Sequence, residues 1–220
     1  MIKALVFDLD GVITETAELH FEAWVKALEK KGISYTFEEN KALKGLPRKD
    51  TLLAILKLKN KTLTEEEIQE VMKEKNDFYI SSLSTLSEKD ILPNIKSLLI
   101  KAKEKGLKLS IASSSYNAPA ILKTINLFDM FDFIVYPGDI KNGKPAADIF
   151  LAAAKGVNAS AQECIGFEDA IEGIKGIHAA KMHSVAITYG VRAEWENFSE
   201  VIYTTTAEIN LEALLEKFNK

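Results

Sequence analysis

At 220 residues the chain has room for one large domain, or for one domain carrying an insertion. Its hydrophobic fraction of 47% and charged fraction of 27% are ordinary for a soluble globular protein. The net charge of −4 mixes both signs without a basic, aromatic-interleaved stripe, which argues against nucleic acid, and no apolar run approaches membrane-spanning length, which argues against a membrane. The single cysteine, Cys164, sits in the apolar stretch Glu163-Cys164-Ile165-Gly166 and reads as a small buried hydrophobe rather than a nucleophile. One thiol makes no internal disulfide, and strand-like residues rather than a signal peptide open the chain. The expectation is a cytoplasmic protein acting as a monomer.

Residues 2–7 form an apolar, β-rich run that empties into Asp8-Leu9-Asp10-Gly11. Such a run reads as a buried parallel strand with its carboxyl end at a site. Two carboxylates in one cleft need a cation between them, or one of them holds a proton. That arrangement suits a Mg²⁺-dependent nucleophile beside a general acid/base. Taken alone, such a pair is more often a cap for the loop and the following helix.

From about residue 16 to residue 90 the pattern is helical, with apolar positions at Leu19, Ala23, Trp24, Ala27 and Leu28, then Leu52, Ile55 and Leu56, then Ile68, Val71 and Met72. There is almost no strand signal, so this interval reads as a helical module inserted after the first strand. Ile91-Leu92-Pro93 marks the return. Within the module Trp24 lies on an apolar face and His20 one turn before it, where packing roles are the commoner ones. Lys75 belongs to a charged run whose default is a solvated face. Arg48, flanked by Lys44 and Lys49 beside Gly45, is the best signal for an anion, because arginine holds phosphate bidentately.

Strand and helix then alternate. A helix over residues 93–105 leads to a strand over 107–112, which ends at Ser113-Ser114-Ser115-Tyr116-Asn117 ahead of a helix over 118–125. A short strand at 133–135 precedes Lys144-Pro145 and a helix over 147–155. A strand at 163–166 precedes Glu168-Asp169 and a helix over 170–179; strands at 184–188 and 201–203 and a helix over 211–218 complete the chain. The alternation predicts an α/β fold, a doubly wound parallel sheet of residues 1–15 and 92–220 with a helical domain of residues 16–91 inserted. Ligands of such sheets bind beyond the carboxyl ends of the strands. Each polar cluster alone has a bland reading, as N-caps, a solvated lysine or acids favouring a helix dipole. Acids, hydroxyls, a lysine and acids, in that order and each after a strand, together read as Mg²⁺ plus phosphate.

Asp8-Leu9-Asp10, Ser113, Lys144 and Glu168-Asp169 resemble the four motifs of the haloacid dehalogenase-like superfamily of phosphotransferases. The resemblance implies that Asp8 is the nucleophile that becomes an aspartyl phosphate and that Asp10 is the general acid/base. It implies that Ser113 and Lys144 hold the phosphoryl group, and that Mg²⁺ is bound by Asp8, the backbone carbonyl of Asp10, Glu168 and Asp169. The inserted module is similar to the four-helix cap of the β-phosphoglucomutases. The matching residues are His20-Phe21, Ala23-Trp24, Leu43-Lys44-Gly45 with Arg48, Lys75-Asn76-Asp77, and on the core side Ser115 and Asn117. By this likeness Arg48 grips the distal phosphate, while Gly45, Trp24, Thr51, Asn76, Ser115 and Asn117 contact the sugar or its phosphate. Lys75 and His20 would help Asp10 into its acid/base position. Glu15 departs from the family's usual Asp, and Pro47 stiffens the loop before Arg48. The implied activity is a phosphosugar mutase working on small sugar phosphates; a sugar-phosphate phosphatase is the alternative, and a non-catalytic phosphosugar sensor ranks behind both because the acids and Lys144 are retained.

Overall fold

The computed structural model describes residues 1–191 and 194–219. Its centre is a six-stranded sheet of β1 (Ala4–Phe7), β2 (Lys108–Ile111), β3 (Phe133–Ile134), β4 (Cys164–Glu168), β5 (His183–Ile187) and β6 (Val201–Tyr203). The strand order is β3-β2-β1-β4-β5-β6, and every pairing is parallel. The chain builds outward from β1 to one edge, then restarts beside β1 with β4, so the switch point lies between β1 and β4.

β1 is buried along its whole length because both sheet faces are covered. Leu5 and Phe7 face one core, with α5 (Ile95–Glu104), α6 (Ala118–Thr124) and α9 (Leu211–Phe218); Ala4 and Val6 face the other, with α7 (Asp148–Gly156) and α8 (Ile171–Ala179). The register sets Phe7 beside Ile111 and beside Phe167, and the Phe7 and Phe167 rings stack with centroids 4.7 Å apart. Three strands therefore end level, and the residues that follow them converge.

Between β1 and β2 lie α1 (Ala17–Glu29), α2 (Phe37–Ala42), α3 (Arg48–Leu58) and α4 (Glu65–Ser82), the expected helical cap region. The apolar faces of α1, α3 and α4 close on a separate cluster that includes Trp24, Leu28, Leu52, Ile55, Ile68 and Val71. Thr36 with Glu39 and Thr64 with Glu67 form capping boxes that start α2 and α4. The two connectors run side by side: the Thr14 hydroxyl donates to the Asp90 carbonyl (2.7 Å) and the Leu92 N–H to the Ile13 carbonyl (2.9 Å).

The fourth strand runs two residues past the expected Gly166. Phe167 continues it because its ring is buried against Phe7, and Glu168 still pairs with Ala186. The helix expected from residue 93 starts at Ile95, because Asn94 takes a left-handed conformation with φ of 66°.

Gly173 in α8 shows how closely the site is packed. A Cβ there would lie 1.8 Å from Glu168 Oε1. Replacing a helical glycine with alanine normally stabilises by about 1 kcal/mol. Here it would push a buried carboxylate off its partners, and that loss is the larger. Gly173→Ala is expected to lower stability by about 1–3 kcal/mol in urea unfolding; a gain in stability would mean that Glu168 has room to move.

Candidate active site

The carboxyl ends of β1, β2 and β4 meet at a buried lysine. Lys144, in the loop before α7, is 4% exposed, and its ammonium lies 2.7 Å from Asp8 Oδ1 and 2.5 Å from Glu168 Oε1. The Lys144–Pro145 bond is cis. Burial alone would lower the Lys144 pKa, but the charges of Asp8 and Glu168 outweigh it and hold the ammonium charged. Glu168 is fixed from its other side, since Oε2 accepts the N–H groups of Asp169 and Ala170, each at 2.8 Å. Ser113 is buried beside this group; its Oγ accepts from the Ser115 N–H, and Ser115 Oγ accepts from the Asn117 N–H, so the serine loop is wound by its own hydroxyls.

Asp8, Glu168 and Asp169 each offer an oxygen within 4.8 Å of the others. Asp169 Oδ1 has no hydrogen-bond partner among the described residues, and Oδ2 is paired with the ammonium of Lys44. Burial pushes the Asp169 carboxyl well up, with Lys44 opposing and Glu168 and Asp8 adding. An all-oxygen, anionic donor set with a buried unpaired atom fits a hard divalent cation such as Mg²⁺. The side chain of Asp10 stands outside this trio; its expected share in metal binding is its main-chain carbonyl.

Asp10 faces the insert. Its Oδ1 accepts from the Thr16 hydroxyl and lies 3.8 Å from His20 Nε2. Burial first and Asp8 second raise its pKa to about 6, which poises it between acid and base. His20 Nδ1 is 2.7 Å from the Lys75 ammonium, and its ring stacks on Tyr79 with centroids 4.1 Å apart. Burial, then Lys75 and Arg48, keep the imidazole neutral. A neutral ring accepting from Lys75 at Nδ1 carries its proton on Nε2, toward Asp10. Lys75 is no surface residue: it is 3% exposed, over the rings of Tyr79 (4.4 Å) and Trp24 (5.5 Å). Burial, assisted by Arg48, lowers its pKa to about 7.

At the far end of the cleft, Arg48 donates to Asn76 Oδ1 (2.7 Å), and so does the Asn117 side chain (3.0 Å), which ties the insert to the core. Gly45 has φ of 85°, and a Cβ there would lie 3.0 Å from that of Ala170, so the loop lies against the core. Thr51 lines the cleft, but its hydroxyl turns back to the Pro47 carbonyl (3.0 Å). One cleft is thus lined by Asp8, Asp10, Ser113 and Lys144 from the core and by His20, Trp24, Arg48 and Lys75 from the insert. Glu168 and Asn76 stand one layer back, bonded to Lys144 and Arg48. Sequence reasoning missed four contacts: Thr16 on Asp10, Tyr79 under His20, Lys44 on Asp169, and the Tyr189 hydroxyl donating to the Gly11 carbonyl (3.0 Å). Only Lys44 carried a signal, as part of the basic loop before Arg48.

The model of the haloacid dehalogenase-like hydrolases matches residues 2–181. The chain belongs to this family. It is 38% identical to β-phosphoglucomutase of Bacillus subtilis, over all of this chain and 96% of that one. A crystal structure of β-phosphoglucomutase from Clostridium difficile superposes with a TM-score of 0.93 at 41% identity, covering 100% of this chain and 98% of that one. A phosphorylated carbohydrates phosphatase of Thermotoga maritima is 30% identical over 86% of this chain and 85% of its own.

The lowered pKa of Lys75 sets a pH dependence of stability. The unfolded chain keeps this lysine protonated up to its ordinary 10.5, the folded chain only to about 7. Burying it therefore costs most at pH 7 and below, and the cost shrinks as pH rises toward 10.5. Lys75→Met is expected to raise Tm by about 5 °C at pH 7, with the gain fading toward pH 10. Thermal melts across that range check it; a gain that does not change with pH would refute the titration.

Proposed function

We propose that this chain is a phosphosugar mutase that interconverts β-D-glucose 1-phosphate and β-D-glucose 6-phosphate through an aspartyl phosphate and glucose 1,6-bisphosphate. The observation that carries the reading is the pair of cationic ends on one cleft, the buried Lys144 beside Asp8 and the half-buried Arg48 on the insert. A bisphosphate has to be held by both ends, in two orientations. A phosphatase needs only the first.

In this reading the free hydroxyl of the sugar monophosphate gives its proton to Asp10 as its oxygen attacks phospho-Asp8, which frees the Asp8 carboxylate and forms the bisphosphate. The bisphosphate reorients, a carboxylate oxygen of Asp8 attacks its other phosphorus, and the sugar oxygen leaves with the proton from Asp10. A pKa of about 6 suits both directions. Ser113 and Lys144 hold the phosphoryl oxygens in transit. Arg48, with Ser115 and Asn117, takes the distal phosphate, and Asn76 holds Arg48 and Asn117 from behind; Gly45, Trp24 and Thr51 shape the space for the sugar. His20, braced by Lys75, faces Asp10 from the insert, so the acid/base is complete only when insert and core are together. Mg²⁺ held by Asp8, Glu168 and Asp169 would neutralise the charge of the transferring phosphoryl group. Exclusion of water from the aspartyl phosphate falls to the insert.

The phosphatase reading rests on the same core with water as acceptor, and on the kinship with the Thermotoga maritima enzyme. The test is direct. Incubation with β-glucose 1-phosphate, Mg²⁺ and a trace of sugar bisphosphate is expected to give glucose 6-phosphate in excess of free phosphate; mostly free phosphate selects the phosphatase. Asp8→Asn is expected to abolish turnover with a native circular dichroism spectrum, since an amide of the same shape cannot accept the phosphoryl group. Turnover within tenfold of wild type would remove Asp8 from the role. Arg48→Ala is expected to cut mutase throughput by a factor of about 10²–10³, or about 3–4 kcal/mol. Labelling of Asp8 by acetyl phosphate, which has no distal phosphate, is expected to survive. Unchanged glucose 6-phosphate formation by Arg48→Ala would place the distal phosphate elsewhere.

A further inference from the structure

Lys44 belongs to the insert, in the loop between α2 and α3, yet its ammonium lies on a carboxylate of the core, in the loop that follows β4. It pairs with Oδ2 of Asp169, whose side chain is 1% exposed. The pair is tightly enclosed: a Cβ on Gly11 would fall 1.8 Å from Asp169 Oδ2 and 2.7 Å from Lys44 Nζ. Gly11 has φ of 80°, so the turn after Asp10 is both left-handed and bare at the point where Lys44 enters. A second carboxylate stands behind it. Glu15 Oε2 lies 4.0 Å from the same ammonium, on the half-exposed connector into α1.

Asp8 and Glu168 already share Lys144. Asp169 is the third carboxylate of the trio, and Lys44 is the cation that meets it. An ammonium and a divalent cation cannot both take the same face of one carboxylate oxygen, since Mg²⁺ needs its ligands at about 2.1 Å in a near-octahedral shell and repels a second positive charge beside it. Glu15 offers the displaced ammonium another partner without leaving the cleft.

We infer that Lys44 is a tethered cation that competes with Mg²⁺ for Asp169, so that metal binding drives the Lys44 loop from Asp169 toward Glu15. The inference rests on the reading that Asp8, Glu168 and Asp169 hold Mg²⁺. The insert and the metal then oppose each other at one oxygen atom, and the affinity for Mg²⁺ is weaker than three carboxylates alone would give.

The experiment is calorimetric titration of Mg²⁺ alone into the whole chain, wild type and variants, without sugar phosphate. Lys44→Gln is expected to tighten Mg²⁺ binding about tenfold, by removing the competing charge. Lys44→Arg, which keeps the charge, is expected to stay within about threefold of wild type. A purely structural role for Lys44 would lower Tm without tightening the metal. Mg²⁺ affinity in Lys44→Gln that is unchanged or weaker overturns the competition, as does a Lys44→Arg that tightens as much as Lys44→Gln. If the wild type and both variants all fail to take up Mg²⁺, the metal reading itself falls, and the inference with it.

Discussion

The buried ammonium of Lys144 is the charge on which the candidate site depends. It is held between Asp8 from β1 and Glu168 from β4, the two strands that flank the switch point of the sheet. Without it two carboxylates would face each other in a dry interior with no charge to offset their repulsion. With it, Asp8 has a cation 2.7 Å away at a strand end where incoming groups can reach. The backbone N–H groups of Asp169 and Ala170 complete the hold on Glu168, and the missing side chain of Gly173 leaves it space. Removing any one partner would leave a charge in the protein interior unsatisfied, so the cluster acts as a unit.

The insert adds a second electrostatic layer of different character. Its charges meet partners of different kinds: an amide oxygen for Arg48, a neutral imidazole and two aromatic faces for Lys75, and the carboxylate of Asp169 for Lys44. Asp10 lies between the two layers and takes its environment from both. Its burial and its repulsion from Asp8 come from the core, while the Thr16 hydroxyl and the nearby His20 come from the insert side. Any motion of insert against core would therefore act on Asp10 before it acts on Asp8, which is braced from within the sheet.

The parallel strands were legible in the sequence because a strand buried on both faces reads as an unbroken apolar run, and residues 2–7 are such a run. The motif acids and Ser113 were legible because each reads, by its charge or hydroxyl, as ending an apolar strand-like run. What the sequence hid were effects of closure. Glu168 reads as a loop residue by its charge, yet it is the last residue of β4, because Lys144 comes from another loop to meet it. Lys75 reads as solvated by its charged neighbours, yet Trp24 and Tyr79 enclose it, and nothing local in the chain announces that. Thr51 reads as a sugar contact by likeness, while its hydroxyl is engaged with its own helix start. Tyr79 and Tyr189 gave no signal at all, since an aromatic at helical spacing or in a loop is indistinguishable from packing until its neighbours are known.

The side-by-side connectors have a consequence for how the chain reaches this structure. The central pairing of the sheet joins Ala4 to Lys108, across the whole insert. Closing so long a loop is entropically costly and slow when the intervening chain is disordered. Once α1–α4 have gathered around their own cluster, the Thr14–Asp90 and Ile13–Leu92 bonds bring the two ends of the insert together. To the sheet, the distance from β1 to β2 then shrinks to a short linker and one helix. The module that covers the cleft in the finished protein would, during folding, serve as a clamp that makes the first sheet contact local.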